Sequence, residues 1–251
     1  MTLDNLITNI SVEDFLTKEK SFFHRNLNNI IVVKNAIPKI KIRKIAKRIL
    51  KTKKHYVKRP IIVEGVKNIC WDGNFVATTD KQYTAIDKSW YFFPWNKDNT
   101  GLVKETSFLR KRLIELNDYD SEIVEKNTPK DGTISRMQLI CYPYETGLIA
   151  THKDPINLNK ILALLYISEF KTDYDTGGFY IISDKKKYVV DHHVQSGDLV
   201  IFCPYVAHGV DPVSKSNSNS ETTFEGRCVL QWSLVQSREA KGRIHTEGVK
   251  Y

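Results

Sequence analysis

The sequence has few of the residues and segments that mark several large protein classes. It contains only 8 prolines and 12 glycines in 251 residues, which argues against collagen-like and low-complexity chains. Its longest apolar runs have the length of a β-strand and fall short of the roughly 18 residues that a membrane helix requires, so we expect no membrane span. With 41% hydrophobic and 27% charged residues, the composition is that of a globular protein with a substantial core.

Cysteine is scarce and irregularly spaced. The four cysteines form no C-x-x-C pair, and three of them lie in apolar, strand-like runs. We therefore expect neither a disulfide framework nor a structural zinc site. The first 15 residues are mixed and polar, without the basic start and apolar centre of a secretory signal. These features predict a cytoplasmic location.

Acidic residues are absent from one stretch of the chain. The formal net charge is +9, and residues 39–59 hold 11 lysines and arginines and no acidic residue. Ile42, Ile45 and Ile49 recur there at helical spacing, which predicts a helix with one apolar face and a solvated basic face. A surface that binds phosphate or acidic groups is the alternative, and the sequence leaves both interpretations open.

The chain changes character near residue 133. Residues 1–132 read as mainly helical, with a second amphipathic helix over 102–116 and an aromatic segment, 90–95, that we interpret as core packing under a loop. Short β-rich runs follow at 134–142, 148–151, 161–168, 178–182, 187–190, 198–203 and 226–235. Such runs without intervening helices predict an antiparallel sandwich or barrel. We predict one domain, with a helical support region at 1–132, a β core at 133–236 and a tail at 237–251.

Three residues of the β-rich half have the types and spacing of metal ligands. His152 and Asp154 lie two apart at the end of a β run, so their side chains leave the same face, and His208 follows the run 198–203. Two imidazoles and one carboxylate suit ferrous iron and leave coordination positions open for a chelating cosubstrate and dioxygen. An H-x-D pair alone is a weak signal, so the surrounding motifs decide its weight.

Those motifs occur in a consistent order. They are RMQLICYPYETGLIATHKD from Arg136, ALLYIS from Ala163, TGGF from Thr176, SGDLVIF from Ser196, HGV from His208 and GRCVLQWS from Gly226. Together they resemble the iron(II)- and 2-oxoglutarate-dependent dioxygenases, and most closely their prolyl-hydroxylase-like branch. The resemblance covers about residues 130–236.

The resemblance implies an α+β fold with a mainly β core, a double-stranded β-helix of the jelly-roll or cupin type buttressed by N-terminal helices. It implies that His152, Asp154 and His208 are the catalytic iron ligands. It also implies that 2-oxoglutarate is the cosubstrate alongside O2, with Arg227 and Tyr142 binding its distal carboxylate. If the alignment across the loop 214–223 were different, Lys215 would be the competing cation.

A full aspartate at position 154 favours hydroxylation, because halogenating relatives have a small residue there. The resemblance therefore implies an enzyme that hydroxylates an unactivated C–H bond of a small molecule, with an amino acid or its derivative as the leading candidate. One alternative is a hydroxylase of protein residues, of the prolyl type. Another is a basic nucleic-acid-binding protein with a non-catalytic barrel, although Ser233 stands where nucleic-acid demethylases carry a second arginine. The substrate and the oligomeric state stay open.

Overall fold

The computed structural model describes residues 6–51, 69–76, 84–94, 98, 100–215, 224–236 and 247–248, with side chains for all of these but 69–76, 129 and 247–248. The helices are α1 (Val12–Thr17), α2 (Lys20–Arg25), α3 (Lys39–Leu50), α4 (Leu102–Leu116) and α5 (Ser121–Val124). The strands are β1 (Ile7–Ile10), β2 (Ile30–Val33), β3 (Ile69–Val76), β4 (Thr84–Phe92), β5 (Thr133–Pro143), β6 (Leu148–Lys153), β7 (Leu162–Tyr166), β8 (Thr176–Ser183), β9 (Lys186–Val189), β10 (Leu199–Phe202), β11 (His208–Ser214), β12 (Gly226–Gln236) and β13 (Glu247–Gly248).

The strands form two connected layers. The larger layer has the order β1-β2-β10-β7-β12-β5-β4, with β3 beside β4, and the smaller layer has the order β6-β11-β8-β9, with β13 beside β6. All pairings in the smaller layer and in the centre of the larger one are antiparallel. This arrangement is a double-stranded β-helix, which confirms the predicted fold class.

Strand alternation divides the larger layer into an outer and an inner face. On β12, Cys228, Leu230 and Trp232 belong to the core shared with α3 and α4, whereas Val229 belongs to the core shared with β8 and β11 of the smaller layer. Arg227 has the parity of Val229 and therefore faces the interior between the two layers. The sequence pattern of β12 thus places apolar residues against the helices and the predicted site residue inside the barrel.

The two amphipathic helices pack on the outer face. Helix α4 spans Leu102–Leu116, as predicted, and buries Leu109 and Leu113. Helix α3 buries Ile42, Ile45 and Ile49, as their spacing predicts. Three of its basic side chains pair with acidic ones: Lys39 with Glu169, Lys41 with Glu105, and Arg43 with Asp173. The rest of the basic stretch, from residue 52 on, lies outside the described residues, and the expected absence of a nucleic-acid partner stays a prediction.

The N-terminal half, predicted as mainly helical, also contains the strands β1, β3 and β4. Residues 7–10 pair in parallel with β2, although we expected a helix over the first 28 residues. The aromatic segment was expected under a loop, and this was wrong for residues 90–92. They lie in β4, paired with β5 from Lys88 opposite Cys141 to Phe92 opposite Met137. Pro94 follows the end of this strand, and its backbone nitrogen has no hydrogen to donate to a neighbouring strand.

Strand β11 was not predicted, because Gly209 and Pro212 interrupt its apolar pattern. We expected no disulfide framework, but the structure contains one bonded pair, Cys141 and Cys228, which are direct register partners on β5 and β12. The two cysteines are 87 residues apart, so only the strand register brings them together. Helices in the described part of the chain are too short or too polar to cross a membrane. The single-domain organisation stays a prediction.

Candidate metal centre and cosubstrate pocket

His152, Asp154 and His208 meet where two strands of the smaller layer pair. His152 is near the end of β6 and His208 begins β11, and the two are register partners. Asp154 follows the last residue of β6, and its backbone N–H donates to the carbonyl of Pro204 at 2.9 Å. The H-x-D spacing therefore returns the carboxylate to the face that carries both imidazoles.

The ligand atoms of these three side chains lie within 4.8 Å of one another. Asp154 Oδ2 is 3.9 Å from His152 Nε2 and 3.7 Å from His208 Nε2. Both histidines are buried, and Asp154 is partly exposed. Among the residues that the structure describes, this is the only group of three or more histidine, cysteine or acidic side chains close enough to hold a metal ion.

Hydrogen bonds orient both imidazoles toward the shared point. The Nδ1 of His152 is 2.8 Å from the carbonyl oxygen of Ala150, and the Nδ1 of His208 is 2.7 Å from that of Val206. A carbonyl can only accept, so each Nδ1 is protonated and each Nε2 carries the lone pair that a metal ion needs. Burial, followed by the nearby His152, lowers the pKa of His208 to about 4, with Asp154 opposing. Two neutral imidazoles and one carboxylate fit a ferrous ion with open positions.

Arg227 is buried completely inside the barrel and faces a buried carboxylate. Its Nε donates to Asp191 Oδ2 at 2.6 Å, and its Nη2 donates to Asp191 Oδ1 at 3.1 Å. Although burial opposes the charged form, Asp191 and the tyrosines Tyr166 and Tyr174 raise the pKa of Arg227 well above its usual value. Arg227 is therefore a permanent cation, and Asp191 pairs with it in the bidentate geometry typical of guanidinium and carboxylate groups.

Aromatic rings enclose this guanidinium and connect it to the metal centre. The Cζ atom of Arg227 is 5.7 Å from the ring of Tyr142, 5.0 Å from that of Tyr166 and 6.0 Å from that of Phe179. The ring of Phe179 is in turn 5.9 Å from the imidazole of His208. The predicted cosubstrate residues Arg227 and Tyr142, which are register partners, thus lie one aromatic ring away from the metal centre.

One nitrogen of Arg227 can donate a hydrogen bond to an additional acceptor. Its Nη1 is buried and has no hydrogen-bond partner within the described residues. A buried donor without an acceptor costs about 1–3 kcal/mol, so an acceptor supplied by a ligand stabilises it. A carboxylate oxygen of a bound 2-oxo acid would meet this need.

The inner face of the larger layer carries a second group of polar side chains. Ser89 donates to buried Asp87, and Gln138 Nε2 donates to Ser89 Oγ at 2.9 Å and to Tyr91 Oη at 3.1 Å. Burial raises the pKa of Asp87 to about 6, opposed by the hydrogen bond from Ser89 and the charge of Arg136. Ser233 of β12 is the register partner of Arg136 on β5 and also faces inward, and its Oγ accepts a hydrogen bond from Arg136 Nη2 at 3.0 Å.

Other residues considered from the sequence lie elsewhere. Lys215 donates to the carbonyl of Thr172 at 2.9 Å in an exposed position, so it is not the buried cation. His192 and His193 are exposed and lie outside the metal centre. Asp191, directly before them, was not identified, because its role depends on contacts with Tyr166, Tyr174 and Arg227 that are distant in sequence.

Comparison with known proteins finds solved structures with a similar fold. No family model matches the sequence, and no curated protein matches it. A prolyl-4-hydroxylase from Pseudomonas putida has a TM-score of 0.52 at 14% identity, covering 88% of this chain and 100% of the other. A prolyl hydroxylase from Trichoplax adhaerens, in complex with a peptide fragment of the hypoxia inducible factor oxygen degradation domain, has a TM-score of 0.50 at 12% identity, covering 88% and 91%. The chain therefore has the double-stranded β-helix fold of the 2-oxoglutarate- and iron(II)-dependent oxygenases.

Proposed function

We propose that the protein is an iron(II)- and 2-oxoglutarate-dependent oxygenase that hydroxylates an unactivated C–H bond. The observation that carries this proposal is the convergence of His152, Asp154 and His208, with both Nε2 atoms turned toward one point. The buried Arg227 supports it, because this cation, whose Nη1 has no hydrogen-bond partner within the described residues, is separated from that point by the ring of Phe179.

In this proposal His152, Asp154 and His208 hold the iron, and Arg227 and Tyr142 bind the far end of the 2-oxo acid. When bound, the iron and the 2-oxo acid supply the oxidising power for reaction with O2. The protein supplies placement and exclusion of water. The rings of Phe202 and Phe179 lie 5.0 Å and 5.9 Å from that of His208, so one side of the metal centre is apolar.

We infer that the substrate is a small polar molecule, with an amino acid or its derivative as the first candidate. Support comes from the inner face of the larger layer, where Arg136, Gln138 and Ser233 provide a cation, an amide and a hydroxyl. Such groups can orient a carboxylate by charge-assisted hydrogen bonds. A protein residue of the prolyl type is the second candidate, since two of the matched structures are prolyl hydroxylases.

The test is anaerobic addition of Fe(II) and 2-oxoglutarate to the purified protein. We expect a weak visible charge-transfer band from the chelate, which is lost in His152→Ala and Asp154→Ala. His192→Ala is the matched control, because that imidazole is exposed and outside the metal centre. If the unsubstituted protein gives no band, the proposed function is wrong.

The substrate class is tested by succinate release in air. The protein is incubated with free amino acids in one series and with proline-containing peptides in the other, and stimulation above the substrate-free rate identifies the class. A cytoplasmic location also stays a proposal. The disulfide between Cys141 and Cys228 weakens its basis, because cytosolic thiols keep most cysteines reduced. Labelling of free thiols in intact cells measures which state the pair has there.

A further inference from the structure

Asp87 is a buried carboxylate on the inner face of the larger layer, and its contacts bear on which substrate the site accepts. We propose that Asp87 binds the ammonium group of the substrate, so that the enzyme acts on a free amino acid and not on a residue within a peptide chain. This inference rests on the proposed function and specifies its substrate class.

The charge of Asp87 has no paired cation within the described residues. The residue is only 9% exposed, and its one hydrogen bond there comes from the neutral hydroxyl of Ser89. The other buried aspartates, Asp173, Asp191 and Asp198, each pair with an arginine or a lysine. Buried carboxylates are ordinarily paired in this way, because an unpaired buried charge is costly. Asp87 is therefore the buried aspartate that fits a cation supplied from outside the chain.

Asp87 carries its charge at neutral pH. Burial raises its pKa to about 6, which still leaves the carboxylate mostly ionised above pH 7. An ionised group buried with a single neutral donor lowers the stability of the fold. Residues that conflict with stability in this way occur mainly at functional sites. A bound ammonium group would supply the missing cation.

The residues beside Asp87 are small. Ala85 and Ser89 flank it on the same face of β4, and its register partner on β3 is Gly73, which has no side chain. None of these three residues has a side chain long enough to cover the carboxylate. A primary ammonium group has about the volume of a methyl group, so it fits a small space next to Asp87.

Strand β4 lies between the strands that carry the cosubstrate and metal residues. Its pairing with β5 brings Asp87 level with Tyr142, and its pairing with β6 connects it to the strand of His152. Arg136, which we assign to a substrate carboxylate, acts on Asp87 through its charge. A cation and an anion on one face match the two charges of a free amino acid. A residue inside a peptide chain has neither of these charges on its backbone.

The experiment measures binding of free amino acids to the protein loaded with Fe(II) and 2-oxoglutarate under anaerobic conditions. The common amino acids are tested for a shift of the charge-transfer band, and dissociation constants are taken from the shift. Each amino acid that binds is compared with the 2-hydroxy acid of the same carbon skeleton, in which a neutral hydroxyl replaces the ammonium group. We expect the hydroxy acid to bind at least about thirtyfold more weakly, the loss typical of removing one partner of a buried charge pair.

Asp87→Asn removes the charge of the carboxylate and keeps its shape. We expect it to reduce the preference for the amino acid over the hydroxy acid at least about tenfold, because the ammonium group then has no anion to pair with. The variant should fold, since the substitution removes a buried charge. Asp184→Asn is the matched control, because Asp184 is an exposed carboxylate in the turn between β8 and β9, and it should keep the full preference.

Equal affinities for an amino acid and its hydroxy acid would overturn the inference, as would an unchanged preference in Asp87→Asn. A proline-containing peptide with blocked ends is tested beside the amino acids. If no free amino acid shifts the band, with or without a shift from this peptide, the inference is wrong. Failure of the proposed function gives a different result, because Fe(II) and 2-oxoglutarate then produce no band before any substrate is added.

Discussion

Gly178 lies directly against the carboxylate of Asp191. A Cβ atom built on Gly178 would stand 2.2 Å from Asp191 Oδ2 and 2.7 Å from its Cγ. Gly178 also has a φ of +110°, a conformation that other residues rarely adopt. The buried ion pair of Arg227 therefore depends on the absence of a side chain in strand β8, on the opposite layer of the barrel.

Gly178→Ala should displace Asp191 and leave Arg227 as a buried charge without its full set of partners. Breaking a buried ion pair costs about 3–5 kcal/mol, and the strained backbone adds to this. We expect a loss of that size in the free energy of unfolding, measured by urea denaturation.

Gly132→Ala is the control for the backbone contribution. Gly132 has a φ of +80°, but a Cβ built there meets no atom within 4 Å. Its substitution should cost only the conformational strain, about 1–2 kcal/mol. Equal losses in the two variants would show that the contact between Gly178 and Asp191 contributes little.

The features that the sequence predicted well are those with a local signal. Helix α4 was predicted from apolar spacing and ends at Leu116, with Asn117 as its C-cap, and seven strands of the β core followed from β-rich runs between turn residues. The pairing of His152 with Asp154 follows from the two-residue period of a strand. Each of these signals lies within about 15 consecutive residues.

The features that were missed depend on register between distant segments. Asp191 is 36 residues from Arg227, and the sequence around it reads as an exposed turn because it comes shortly before Gly197 and Asp198. Cys141 and Cys228 form a bond only because β5 and β12 pair in a register that places them opposite each other. A local pattern contains no information on which residue of another strand will be the partner.

Asp87 should make stability depend on pH. Burial raises its pKa from 3.8 to about 6 in the folded state. Folding therefore favours the protonated form of Asp87. Its contribution to the free energy of unfolding is fully present below about pH 4 and is lost as the pH rises through 6. Asp87→Asn imitates the protonated acid. At pH 8 the free energy of unfolding of this variant should be about 2–3 kcal/mol higher than that of the unsubstituted protein.

At pH 4 the two proteins should differ by less than about 1 kcal/mol, because Asp87 is then protonated in the folded state and about half protonated in the unfolded state. Urea denaturation at both pH values measures the difference. Asp184→Asn is the control, since Asp184 is exposed in the turn between β8 and β9. A gain from Asp87→Asn that is the same at pH 4 and pH 8 would contradict the raised pKa.

The disulfide between Cys141 and Cys228 should stabilise the centre of the larger layer. It joins residues 87 positions apart, so it restricts the unfolded chain over a long loop. The double variant Cys141→Ala, Cys228→Ala should lose about 2–4 kcal/mol under non-reducing conditions. A reducing agent should lower the melting temperature of the unsubstituted protein and leave that of the double variant unchanged.

Cys203→Ala is the matched control, because Cys203 is a free cysteine. It should keep the response to the reducing agent. Free thiols of the unsubstituted protein are counted after purification without reductant. The bonded pair leaves two of the four cysteines free, so a count of four would show that the disulfide does not form in solution.

Iron should stabilise the folded protein through His152, Asp154 and His208. A metal that binds only the folded state raises its stability by about 2.7 kcal/mol at 100 times the dissociation constant. We expect anaerobic Fe(II) to raise the melting temperature and a chelator to reverse the change.

His208→Ala removes one of three ligands and should weaken iron binding at least about 100-fold. This loss is larger than the one expected when a residue that only hydrogen-bonds to a metal ligand is changed. His192→Ala should retain the full response, because this imidazole is exposed in the turn before β10. Equal responses in these two variants would place the metal elsewhere in the protein.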